Sequence, residues 1–250
     1  MTDGRGGRGR AVTLLAVVAV LAGSGLVTRG LTGQEQAPAA PLAVGSVTVA
    51  GTSQVLGMAP LTQAQQRTLD RRRERARREG PDLAAVPGLD GALPPSPPRA
   101  LRIPAIGLDT AVFGIGRTRD GALQVPQPGP REDLAAWYRH SAAPGSLGPS
   151  IIEGHVDTPR GPSVFFRLGE VRPGDLVHVE RRDGWQLSYE VTGVRTVRKE
   201  VFPTELVYGA DTSASALRLI TCALFDSEAR THRGNQIVFA DLVRARPPTG

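Results

Sequence analysis

Residues 217 to 242, LRLITCALFDSEARTHRGNQIVFADL, carry the only cysteine of the chain, Cys222. It closes an apolar, β-branched run made of Leu217, Leu219, Ile220 and Thr221; a polar segment with Arg230 and Arg233 follows, and then a second apolar run from Ile237 to Val243. Such runs on either side of a turn-rich segment predict two strands joined by a loop. A thiol at the C-terminal end of a strand, with guanidinium groups in the next loop, has the makings of a nucleophile with a cationic neighbour. A lone thiol is also well explained as core filling, because free cysteine is among the most buried residue types.

Four histidines are available to such a thiol: His140, His155, His178 and His232. His178 falls within a charged hairpin strand, which assigns it to the surface. His140 ends a short predicted helix, Arg131 to His140, where an imidazole suits the helix C-terminus. His232 lies in the predicted loop after Cys222. His155 is different: in SIIEGHVDT it stands at the end of an apolar strand, between Gly154 and Val156, a place where a packed barrel carries its sites. One cysteine and scattered histidines do not make a spaced ligand set, so neither a metal nor another cofactor is expected.

The elements that must position these residues begin near Arg99. Short strands are predicted at 101–106, 111–115, 122–125, 150–156, 176–181 and 186–197, followed by the two around Cys222. Asp183-Gly184 between two of them is a hairpin signal, and Asp120-Gly121 marks another turn. Besides 131–140, helical material is expected only around 164–168, with a turn at 203–207. Some eight strands in about 150 residues, without βαβ alternation, predict a mostly β fold closed into an antiparallel or mixed barrel. Glycine (30) and proline (21) are abundant and aromatics make up only 4%, which suits such a turn-rich domain and excludes a long helical bundle.

Before residue 99 the chain reads differently. Three arginines among the first ten residues precede Ala11 to Val27, seventeen residues without a charge. That length is at the lower limit for a spanning helix, and the basic flank places the N-terminus in the cytoplasm and the rest outside. Residues 1–28 are therefore read as a cytoplasmic tail and signal-anchor helix, with a cleaved signal peptide as the other possibility. Residues 29–98, rich in Pro, Ala and Arg, read as an extracellular stalk, and 99–246 as the folded domain. The net charge of +6 is concentrated in the N-terminal part: eleven arginines face seven acids before residue 99, against nineteen basic and seventeen acidic residues after it. The domain is thus near neutral and has little electrostatic footprint for nucleic acid.

The ordered set GHVDTPRGPSVFFRL, then LRLITCALFD and RTHRGNQIVFADL, resembles the sortases, the membrane-anchored cysteine transpeptidases of Gram-positive bacteria, over residues 99 to 243. The T-C-x-x-F-D form and the arginine-rich composition look most like the class E/F enzymes of actinobacteria, although Ala223-Leu224 stands where many class F relatives have a Gly-Gly pair. The resemblance implies an eight-stranded sortase-type β-barrel in which Cys222 is the nucleophile, His155 the proton-transfer partner and Arg233 the oxyanion-stabilising arginine, with Arg230 as the alternative. It further implies cleavage of an LPxTG-like sorting signal through a Cys222 thioester, and transfer of the surface protein to a cell-wall amine. The enzyme would sit in the cell membrane as a single-pass protein with its catalytic domain extracellular. No acidic cluster supports a bound calcium. A non-catalytic, wall-facing β-barrel binding module is the other reading; L,D-transpeptidases, whose cysteine follows glycine in S-x-G-C-x-R, fit the T-C-A sequence poorly.

Overall fold

The computed structural model describes residues 92–209 and 214–249, with short pieces between residues 37 and 71. The predicted anchor at 11–27 lies outside the described residues, and so does nearly all of the charged stretch ending RRRERARRE. Eight strands build the domain: β1 (Pro98–Ile103), β2 (Leu108–Ile115), β3 (Ala135–Tyr138), β4 (Gly148–Glu153), β5 (Leu176–Arg181), β6 (Gln186–Arg198), β7 (Ser215–Asp226) and β8 (Thr231–Arg246). Their order around the sheet is β6-β5-β1-β2-β3-β4-β7-β8, and pairing of β6 with β8 closes the barrel. Closure removes the exposed edges that an open sheet of this size would offer. β2 runs parallel to β3 and β4 parallel to β7; the other pairs are antiparallel.

Alternation along the strands sends Leu101, Ile103, Val177, Val179, Leu187, Tyr189, Leu217, Leu219 and Val238 into the barrel. The intervening residues of β4, β7 and β8 form a second core on the outer face, where Ile151, Ile220, Ile237 and Phe239 pack with Tyr138, Val197 and Val207. A short helix, α1 (Thr204–Tyr208), contributes Val207 to that outer core. Full burial of each such aliphatic or aromatic side chain is worth roughly 1.5–3 kcal/mol, so the sheet carries apolar residues on both faces near Cys222.

The expected closed barrel is thus observed, with differences of detail. Residues 131–140 are not a helix: Arg131 to Leu134 form a turn and Ala135–Tyr138 is β3. All four β3 residues are buried, lying between β2 and β4, so the strand shows no period-2 pattern in sequence. Leu123 makes only an isolated bridge to Arg117, where a strand was expected at 122–125. The Asp183-Gly184 hairpin forms with Gly184 at φ +86°, a conformation that favours glycine. The expected helical turn near 164–168 is a 3-10 turn at Phe166–Glu170. Packing also begins before residue 99. Leu93 is buried in the core, its N–H donating to the Gly145 carbonyl at 2.9 Å, and Ala43–Gly45 pairs antiparallel with β6 at Gly193 to Arg195.

Candidate active site

The parallel ladder between β4 and β7 sets Glu153 opposite Ile220. It continues through the Gly154 N–H, which donates to the Ile220 carbonyl at 3.2 Å, and the Thr221 hydroxyl, which donates to the Gly154 carbonyl at 2.8 Å. Two residues past the Glu153–Ile220 pair on each chain stand His155 and Cys222. The register therefore sets His155, just past the end of β4, beside Cys222 within β7, on the outer face shared by Ile220. The sequence-predicted pair is brought together by strand pairing rather than by loop conformation.

Gly154 is required at this junction. A Cβ on it would lie 2.6 Å from Val164 Cγ1 and 2.9 Å from Phe165 Cδ2. The 163–165 segment lies that close because Phe165 N–H donates to the His155 carbonyl at 2.9 Å and Ser163 N–H to the Val156 carbonyl at 3.0 Å. Gly154→Ala must displace fully buried Phe165, and overpacking of this kind costs about 1–3 kcal/mol. The expected result is a lower melting temperature together with reduced peptide cleavage, measured by thermal denaturation and by turnover on one preparation.

His155 Nε2 lies 2.8 Å from the Pro126 carbonyl oxygen. A carbonyl only accepts, so Nε2 carries a hydrogen and donates, which leaves Nδ1 as the ring nitrogen not engaged by this bond. The Cys222 thiol is half-buried, and burial pushes its pKa above the ordinary value; the Lys199 ammonium works against that shift, while the Glu153 and Asp157 carboxylates reinforce it. Burial thus favours the protonated thiol in the resting state.

Arg233 is on β8, not in a loop: the β7–β8 turn is only Ser227 to Arg230, and β8 starts at Thr231 instead of near Ile237. The Arg233 Nε donates to Asp226 Oδ2 in an ion pair at the turn. Asp226 also accepts the Glu228 and Ala229 N–H groups at 2.9 Å each, and together these bonds hold its carboxyl below the usual range. Arg233 stands two residues before Asn235, which is directly opposite Cys222. Arg230 lies in the turn itself, exposed, at φ +51°. Among the cations of the described residues, the one whose charge bears on the thiol is Lys199, just past the end of β6.

Sequence reasoning missed several neighbours of the thiol. Asn235 faces Cys222 across the ladder, its Nδ2 donating to the Thr221 carbonyl at 3.4 Å. His232 packs on Phe225 with ring centroids 5.1 Å apart, and its Nε2 lies 3.8 Å from Asp157 Oδ2. Burial first and Lys199 second hold the His232 pKa down, against the pull of Asp157. His178 is not a plain surface residue: it bonds Ser188 at 3.0 Å, and burial lowers its pKa. Lys199 carried no sequence signal beyond being the only lysine. Glu153 did carry one, as a carboxyl at the end of the apolar run Ile151-Ile152. No group of three or more His, Cys, Asp and Glu residues suited to a metal ion occurs among the described residues.

A closed mixed barrel that sets an imidazole just past one strand beside a thiol within its parallel neighbour has the equipment of a cysteine enzyme working by covalent catalysis. The sortase-domain family model matches residues 101–243, more than half of the chain, and the chain belongs to the sortase family, whose members are cysteine transpeptidases. Solved structures similar to it include sortase A from Listeria monocytogenes, 15% identical over 62% of this chain and 92% of that one, with a TM-score of 0.46. A sortase from Actinomyces oris is 18% identical over 63% and 89% at TM-score 0.46. A sortase E variant from Streptomyces avermitilis is 19% identical over 62% and 93% at TM-score 0.44. No curated protein matches the chain in a sequence search.

Proposed function

We propose that the protein is a membrane-anchored transpeptidase of an actinobacterium. It cleaves an LPxTG-like sorting signal through Cys222 and transfers the surface protein to a cell-wall amine. The observation that carries this reading is the parallel β4–β7 register, which sets His155 and Cys222 each two residues past the Glu153–Ile220 pair. In the first half-reaction the Cys222 proton passes to the His155 imidazole as sulfur adds to the scissile carbonyl. The tetrahedral oxyanion collapses, the C–N bond breaks, and the imidazolium returns its proton to the leaving amine, leaving a thioester. In the second half-reaction the acceptor amine adds to the thioester, loses a proton to His155, and the Cys222 thiol is regenerated.

Arg233 stabilises the oxyanion in this reading, which requires its guanidinium to exchange Asp226 for the substrate oxygen. Residues 1–28 hold the enzyme in the membrane and 29–98 space the barrel from it, with the catalytic domain extracellular. The T-C-x-x-F-D form of the cysteine strand favours a class E/F enzyme.

The test is covalent. Full-length protein is incubated with an LPxTG peptide library without an amine acceptor, and its intact mass is recorded. The expected result is an adduct equal to the N-terminal peptide fragment, located on Cys222 and released by hydroxylamine. Cleavage without that adduct sinks the Cys222 thioester step, and the absence of both cleavage and adduct sinks the reading in favour of the non-catalytic module.

A further inference from the structure

Glu153 puts a carboxyl where a packed strand ordinarily carries an apolar residue. It is only 8% exposed, and its Oε1 has no hydrogen-bond partner among the described residues. Leaving a buried acceptor unpaired is costly, so an orphan of this kind calls for an explanation.

Its position supplies one. Glu153 is the register partner of Ile220 on β7 and of Ala136 on β3, which sets it on the outer face of the sheet. Cys222, two residues past Ile220, lies on that same face, and the ionised carboxyl would push the thiol up. Among the described residues the ionisable groups on that side include Cys222 and Arg218 from β7, Tyr138 from β3 and Tyr208 from α1. Arg117 donates to the Tyr138 hydroxyl, and the Tyr208 phenol is pushed up to about 12 by burial first and by Glu153 next. None of these groups takes Oε1. Burial pushes the Glu153 carboxyl up to about 8, so at neutral pH it is an uncharged acid offering one O–H donor and one carbonyl acceptor.

We propose that Glu153 is a specificity-determining residue, whose carboxyl hydrogen-bonds an uncharged N–H or O–H group of the peptide beside the bond that Cys222 attacks. This rests on the transpeptidase reading above and deepens it. An uncharged carboxyl next to the nucleophile holds the peptide without placing a negative charge beside the developing thiolate. Ionisation of the same group weakens both functions at once: it removes the O–H donor and repels the thiolate.

The experiment uses full-length protein and an internally quenched Leu-Pro-x-Thr-Gly peptide, with Cys222→Ala as the control and kcat and KM read separately across pH 6 to 10. Glu153→Ala is expected to raise KM about tenfold, the loss of one well-formed hydrogen bond, with kcat changed less than about twofold. Glu153→Gln recovers most of that loss, because a carboxamide keeps a donor and an acceptor. The wild-type kcat/KM falls as pH rises through about 8, where the carboxyl ionises, and Glu153→Gln lacks that fall. Should Glu153→Ala fail to fold, the pH profile of Glu153→Gln carries the test. Cys222-dependent cleavage with the same KM and the same alkaline limb in the variants overturns this proposal and leaves the transpeptidase reading intact. Absence of any Cys222-dependent cleavage overturns both.

Discussion

On the transpeptidase reading, replacing Cys222 by alanine is expected to abolish peptide cleavage, a fall of roughly 10⁴-fold or more, because it removes the sulfur that would form the acyl-enzyme. His155→Ala is expected to cost about 10²- to 10⁴-fold, the usual worth of a positioned proton-transfer group. The loss is large here because the thiol starts protonated: burial above all holds its pKa up, the Asp157 carboxylate adds to that, and Lys199 opposes it. A cysteine already present as thiolate would still need His155 to protonate the leaving amine, whereas this one also needs it to accept the thiol proton in every turnover. The double variant should be no slower than Cys222→Ala alone, since the two residues act in one step. Neither change touches the barrel core, so each variant should melt within about 3 °C of the wild type, a shift of about 1 kcal/mol for a domain of this size. Cleavage rates and thermal melts on the same preparations decide the matter. Appreciable cleavage by Cys222→Ala, or a His155→Ala enzyme within about fivefold of wild type, contradicts the mechanism.

Much of this site was legible in the sequence because it is built from strand ends. The apolar runs before His155 and Cys222 announced two strands, and β-branched residues fixed their type. Sequence could not show that these strands are adjacent and parallel, a non-local fact that rests on the closed barrel. The β3 helix expectation failed for a related reason. Ala135, Ala136, Trp137 and Tyr138 are buried on both faces by neighbours more than ten residues away, and nothing in the local pattern records those neighbours. The place of Arg233 was misread because Gly234 and Asn235 look like loop residues. In fact Gly234 is a strand glycine at a close approach: a Cβ there would lie 2.6 Å from the Val197 carbonyl oxygen and 2.6 Å from Leu224 Cδ1. Leu224, at φ +56°, interrupts β7 two residues past Cys222, which no propensity for leucine would have indicated. The arginine bound to Asp226 was thus visible as a residue type and invisible as a geometry.

The second large effect is structural. Arg181, at the end of β5, is among the largest fully buried side chains of the described residues, and Arg181→Ala is expected to lower stability by about 3–5 kcal/mol. Its Nη1 donates to the Pro144 carbonyl at 2.6 Å and its Nη2 to the Pro94 carbonyl at 2.7 Å. Its Nε donates to Asp183 Oδ1 at 3.0 Å, completing a fork that a single ammonium could not reproduce. One guanidinium therefore ties the β5–β6 hairpin to the segment entering the barrel at Leu93 and to the one leading into β4. Truncation would leave these acceptors without their donor and open a void beneath Leu93. At about 2–4 °C per kcal/mol, the melting temperature should drop by roughly 10 °C, with Arg181→Lys falling between the variant and the wild type. The pH dependence identifies the cause. Hydrogen bonding to Arg181 holds the Asp183 carboxyl below its usual pKa, so that pair stabilises the wild type above the unfolded pKa of about 4 and is lost as pH falls through the depressed folded value. Wild type should therefore lose stability more steeply than Arg181→Ala on acidification below about pH 4. Parallel acid limbs in the two proteins would show that the lost stability comes from packing and not from the ion pair. Because β4 begins just beyond the Arg181 tether and ends two residues before His155, the same variant should lose cleavage activity at temperatures below its own melting transition.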